Sequence, residues 1–189
     1  MGCVAGGSFP ATEAATVASL RPLAARGLDV LAVLIVLAAV ARFVVLPRLH
    51  PAAAPAPLLS LQTLEGGRFD LERARGRPVF LDFWATWCDP CRDSIPLVQH
   101  FRRTHPNIAV ESVDVGENIA LVRPFATKFG MSNVILDPDS TAAHAFAING
   151  FPTMIAIDAQ GRIRARWIGY NPGIEREMSE ALTKLQTRS

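Results

Sequence analysis

Val79-Phe80-Leu81-Asp82-Phe83-Trp84-Ala85-Thr86-Trp87-Cys88-Asp89-Pro90-Cys91-Arg92 is the stretch from which the rest of the chain is read. Gly76-Arg77-Pro78 resets the backbone, and an apolar, β-prone run with one acid then leads into two cysteines two residues apart. A helical pattern follows to about Thr104, with Pro96 expected to kink it. Thiol-disulfide exchange needs a thiolate nucleophile and a second thiol to resolve the mixed disulfide. A cysteine at a strand-to-helix junction supplies the first, because unpaired N–H groups and the helix dipole stabilise negative charge there. Cys88 is therefore expected to attack and Cys91, one turn on, to resolve. Half of a zinc site is the alternative, but it needs two more ligands, and His50, His100, His105 and His144 are scattered singly. Asp82 lies within the apolar strand, where an ionised carboxylate is costly, so its pKa is expected to rise and its proton to become exchangeable with the resolving cysteine.

Outward from this stretch, Gly66-Gly67 marks a hairpin between Leu59–Leu64 and Arg68–Leu71. On the other side Ile108–Val115 alternates as a strand, and Asn118–Phe129 is a helix closed by Gly130. Val134–Leu136 is a short buried strand and Pro138–Ile148 a further helix. Met154–Ile157 and Ile163–Ile168 form a hairpin about Asp158-Ala159-Gln160-Gly161, and Ile174–Leu185 is a closing amphipathic helix. This order predicts an α/β sandwich with a mixed sheet.

Composition limits the remaining readings. With 189 residues, the chain has room for one domain plus an extra segment. A net charge of +2 without a basic, aromatic-interleaved stripe gives no reason to expect nucleic acid as a partner. The third cysteine, Cys3, stands alone and precedes the apolar segment, so neither a disulfide scaffold nor a lipoprotein-type anchor fits. Residues 1–27 read as a short tail, and residues 28–47 as a single uncleaved transmembrane anchor with Arg42 near its end, where its stem can snorkel. Candidate cleavage sites around Ala52–Ala56 would each leave proline just after the cut. Residues 48–57, rich in Pro and Ala, read as a spacer, and residues 58–187 as the globular domain. Arg21 and Arg26 before the span balance Arg42 and Arg48 after it, so charge does not set the orientation.

Asp82-Phe83-Trp84-Ala85-Thr86-Trp87-Cys88-Asp89-Pro90-Cys91, with Pro96 and the later Gly150-Phe151-Pro152-Thr153, resembles the thioredoxin superfamily, and more closely the membrane-anchored TlpA/ResA-type thiol-disulfide oxidoreductases. The resemblance covers roughly Leu58–Leu185 and implies a thioredoxin-like sandwich carrying the strand-helix insert of the TlpA-type branch, preceded by one transmembrane helix. It implies that Pro152 is a cis-proline facing the dithiol, that Phe151 offers backbone groups to an extended substrate strand, and that Gly169 flanks the substrate groove. Trp87, Asp89 and Pro90 complete the expected substrate-binding rim. It also strengthens the proton-exchange role of Asp82. One position departs from the family: ResA-like reductases place a glutamate three residues after the second cysteine, and this chain has Ser94 there, beside Asp93.

Asp89 opposes ionisation of Cys88, which favours an electron donor over a strong oxidant. A tethered reductase belongs on the oxidising, extracytoplasmic face of a bacterial cytoplasmic membrane. The resemblance implies a membrane electron donor of the DsbD/CcdA type. As clients it implies apocytochrome c or copper-site assembly proteins with an oxidised cysteine pair. No cofactor beyond the Cys88–Cys91 disulfide is expected. A disulfide oxidase or isomerase, and a copper(I)-binding chaperone, are the alternatives.

Overall fold

The structure, a computed structural model, describes residues 31–39 and 54–187. Two compact units divide between Ala52 and Ala53. In the first, residues 31–39 are helical and their large apolar side chains, such as Leu34 and Ile35, are exposed. Among the described residues no helix is long and apolar enough to cross a membrane. The tail at 1–27, most of the span expected at 28–47 and residues 48–53 of the spacer lie outside the described residues.

The second unit is organised by β3 (Val79–Trp84), all six of whose residues are buried. The order after the hairpin strands β1 (Ser60–Gln62) and β2 (Arg68–Asp70) is β3, α1 (Asp89–Thr104), β4 (Ala109–Val115), α2 (Ile119–Lys128), β5 (Val134–Asp137), α3 (Thr141–Ala145), β6 (Thr153–Ile157), β7 (Ile163–Ile168) and α4 (Ile174–Gln186). The main sheet runs β5-β4-β3-β6-β7. β4 and β5 add in parallel, each after a helix, whereas β6 and β7 are antiparallel. The sheet is therefore mixed and the architecture an α/β sandwich, as the element pattern predicts, of the thioredoxin-like kind that the resemblance implies.

Alternation along β3 sorts the core. Leu81 and Phe83 face the side closed by the β1–β2 hairpin, through Leu59 and Leu71, and by Ala142, Ala143 and Phe146. Phe80 faces the other side, against Val98 and Phe101 of α1 and Met178 and Leu182 of α4. Trp84, on that same face, joins Cys88, Cys91 and Ile95 with Val122 and Ala126 of α2. The helix α1 continues through Pro96, an exposed position where the missing N–H leaves only one carbonyl without its helical donor.

Two expectations need correction. The helix expected over Pro138–Ile148 is a short segment, α3. Ser140 sits at φ 55° and Ala147 at φ 51°, left-handed values that exclude both flanks from the helix. The Asp137 carboxylate, accepting from the amides of Ala142 and Ala143 and from Thr141 Oγ1, holds its start. The domain also begins before Leu58. Ala54–Pro57, expected to be spacer, lie against the β6–β7 turn: the Ala56 amide donates to Gly161 O at 2.8 Å, the Ile163 amide donates to Ala54 O at 2.8 Å, and Pro55 bridges to Arg162. Proline prevents a regular strand but leaves the neighbouring amide and carbonyl free to pair.

A chain starting at Leu58 is expected to lose about 1–3 kcal/mol relative to one starting at Ala53, the net value of two backbone hydrogen bonds. Urea unfolding of the two truncations measures the difference, and equal midpoints would show that these bonds contribute nothing.

Candidate active site

At the end of β3 the chain turns through Ala85-Thr86-Trp87 and enters α1 at Cys88, the helix N-cap. An N-cap side chain accepts from the first helical amides, and here the acceptor is sulfur: the Cys91 amide donates to Cys88 Sγ at 3.2 Å. The two cysteines form a disulfide. Cys88 retains 4% exposure while Cys91 has none, so an incoming thiolate can reach only the first sulfur. Cys88 thus stands at the junction of β3 and α1, with Cys91 one turn into the helix.

Asp82 lies on the α1-covered face of β3, between Phe80 and Trp84, and across the sheet from Ser112 and Met154. It is fully buried, and neither carboxyl oxygen has a hydrogen-bond partner. Burial pushes its carboxyl up to about 7. Ser94 is buried on α1 beside the dithiol, and Asp93 points to solvent. The buried carboxyl on this face of β3 is thus Asp82, and α1 carries Ser94 at the position where the resemblance implies an acid.

The rim residues come together around a cleft of ≈ 590 Å³ lined by Trp87, Cys88, Asp89, Pro90, Ile148, Asn149, Gly150 and Phe151. Trp87 is 66% exposed and meets the Phe151 ring edge-on at 5.7 Å. The Phe151–Pro152 bond is cis, and Gly169, at φ 84°, donates its amide to Pro152 O at 2.8 Å. That φ favours glycine, and with no atom near the place of a Cβ the groove edge stays open. Asp89, at the first helical position, is paired with Arg92 at 3.3 Å. Arg92 therefore offsets part of the negative charge that the sequence set against ionisation of Cys88. The pair is exposed, so screening limits its effect.

Two positioning contacts were invisible in the sequence. Glu117 accepts from the Thr86 amide at 2.5 Å and the Thr86 hydroxyl at 2.6 Å, across 31 positions of chain. Arg166 on β7 donates to Phe146 O at 2.7 Å and Ala147 O at 3.2 Å, fixing the segment that leads into Ile148-Asn149-Gly150. Both follow from strand register, and no local pattern announces them. Among the described residues no group of three or more His, Cys, Asp or Glu could hold a metal.

A model of the Redoxin family matches residues 51–185. The chain is 32% identical over 113 residues to the thiol-disulfide oxidoreductase ResA of Bacillus subtilis, covering 57% of this chain and 62% of that protein. It is 34% identical over 112 residues to ResA of Geobacillus thermodenitrificans, covering 58% and 64%. The chain thus spans less than two thirds of the length of these relatives. A solved structure of a putative thiol:disulfide interchange protein DsbE from Chlorobium tepidum superposes with a TM-score of 0.66 at 24% identity, over 70% of this chain and 96% of that one, which shows the same fold.

The Asp82 pKa carries a stability consequence. Its folded value of about 7 lies above the unfolded 3.8, so the unfolded chain gives up its proton first. The contribution of this group to stability is fully present below about pH 4 and is lost as the pH climbs to about 7, roughly 4 kcal/mol in all. Asp82→Asn is expected to flatten that slope. Denaturation of the oxidised protein across this range measures it, and an unchanged slope would mean that the buried carboxyl does not titrate there.

Proposed function

Since the chain belongs to the Redoxin family, with ResA-type relatives in the thioredoxin superfamily, we propose that it is a membrane-tethered protein-disulfide reductase acting on client proteins outside the cytoplasm. The observation that carries this reading is the Cys88 sulfur at the N-terminus of α1, accepting the Cys91 amide, with the buried Asp82 carboxyl on the strand face that α1 covers. In the reduced protein the same amide and the helix dipole favour a Cys88 thiolate.

The reaction runs in two exchanges. The Cys88 thiolate attacks one sulfur of a client disulfide; a Cys88–client bond forms, the client S–S bond breaks, and its second sulfur leaves as a thiolate. Asp82 then accepts the Cys91 proton. The Cys91 thiolate attacks Cys88, forming the Cys88–Cys91 disulfide and expelling the first client sulfur, so two electrons have passed to the client. A membrane dithiol donor of the DsbD/CcdA type restores the reduced pair, and the proton held by Asp82 returns to Cys91. Trp87, Pro90, Phe151, Pro152 and Gly169 form the rim that receives the client segment, with Asp89 at its edge. Asp89 and its Arg92 partner leave the reduced form with little added stabilisation, which favours electron donation.

Apocytochrome c and copper-site assembly proteins are the client classes that fit a reductase in an oxidising compartment. The apolar sequence over 28–47 and the exposed apolar side chains of residues 31–39 support a single-pass anchor in the cytoplasmic membrane. The domain then lies on the outer face, where disulfides form and a relayed supply of electrons is needed.

Cys91→Ser is expected to accumulate covalent client adducts in cells that dithiothreitol releases and that a second change, Cys88→Ser, abolishes. The couple is expected nearer thioredoxin, at ~−270 mV, than DsbA, at ~−120 mV. Equilibration with glutathione measures it, and a value above about −150 mV would make the protein an oxidase.

A further inference from the structure

Behind the Thr86 turn two carboxyl groups meet. Glu117 is 9% exposed and holds Thr86 with both of its oxygens. Asp114 on β4 stands opposite Trp84 in parallel register, is wholly buried, and has no donor within reach of either oxygen. The polar group it faces is the Glu117 carboxylate, itself an acceptor, so only a proton between the two makes a bond. Further charge near the pair is Asp137 of β5, whose carboxylate already accepts three hydrogen bonds. On β3 the same sheet face carries Asp82, and on α1 Arg92 donates to Thr86 O at 3.0 Å. Thr86 is thus gripped from two sides, two residues before Cys88.

We propose that Asp114 and Glu117 share one proton and together act as a proton-sensitive latch on the Thr86 turn, which makes them positioning residues for Trp87 and Cys88. With the proton present, Asp114 donates to Glu117, and Glu117 keeps one negative charge, matched by the two Thr86 donors. With the proton gone, two carboxylates face each other in a dry site with Asp137 close by. The least buried of them, Glu117, relieves the repulsion by turning to solvent and releasing Thr86. Burial, Glu117 and Asp137 push Asp114 up to about 8, so the latch is closed at neutral pH and opens through that value. The importance for client reduction rests on the dithiol reading above, whereas the latch itself does not.

The test follows the Thr86 amide proton by NMR in the full-length oxidised chain between pH 6 and pH 9.5. A short bond to a carboxylate holds this resonance downfield, and it is expected to move upfield in a transition near pH 8. Asp114→Asn, a permanent donor, is expected to remove the transition and keep the low-pH position. Alkylation of Cys88 in the reduced chain by iodoacetamide, scaled to free cysteine at each pH, is expected to change at least threefold in Glu117→Gln. Should that variant not fold, Thr86→Val, which lacks only the hydroxyl donor, is read in the same way. A Thr86 amide that does not titrate, an Asp114→Asn transition like that of the wild type, or unchanged alkylation each overturns the proposal. A latch that behaves as expected in a protein forming no client adducts would instead overturn the reductase reading.

Discussion

The hydrogen bond from the Cys91 amide to Cys88 Sγ fixes the starting point of α1, and the rest of the domain is arranged to keep that starting point still. A helix has four amides at its N-terminus without internal partners, and a cap normally answers with oxygen. Here sulfur answers, so the group that satisfies the helix is also the group able to react. β3 has no exposed residue, is paired on both edges and delivers the chain to the cap after a three-residue turn. Glu117 and Arg92 restrain that turn, and the Phe151–Pro152 segment forms the facing wall.

The sheet face beneath α1 has a polarity unusual for a core. Asp82 and Asp114 both lie there on neighbouring strands, fully buried, without donors, and with carboxyls raised into the neutral range. Each is inexpensive to bury only while it keeps its proton. Both acids share the sheet face on which Trp84 packs with Cys88 and Cys91, so a change of protonation in the interior falls on the layer that supports the disulfide. Ser94 is consistent with this: the buried face of α1 carries no acid, and the buried acids are on the strands.

Much of this was legible in the sequence because it is local. The apolar run ending in Trp-Cys, the paired cysteines and the Asp158–Gly161 turn each declare themselves within a few residues, and they suffice to order the strands. What stayed hidden depends on partners far apart in sequence. No local pattern marks Glu117, because its contact with Thr86 exists only once β3 and β4 lie in parallel register. Arg166 likewise meets its carbonyl partners, Phe146 and Ala147, about twenty positions away, with no local pattern to announce them. The helix expected over Pro138–Ile148 is shorter than its sequence suggests because Ser140 and Ala147 take left-handed conformations that no residue type there announces. Ala54–Pro57 looked like spacer because proline marks the absence of a helix and says nothing about an edge waiting to be paired.

That short N-terminal segment also gives the domain poles. Ala54 and Ala56 are tied to the turn between β6 and β7, where Ile157 pairs with Val79 at the start of β3. Cys88 follows the other end of β3, beyond Trp84, roughly 17–20 Å further along the strand direction. The polypeptide therefore enters at one pole and exposes its reactive sulfur at the other. The pairing made by Ala54–Pro57 therefore shares no residue with the cleft around Cys88, and opening it leaves the lining of that cleft unaltered.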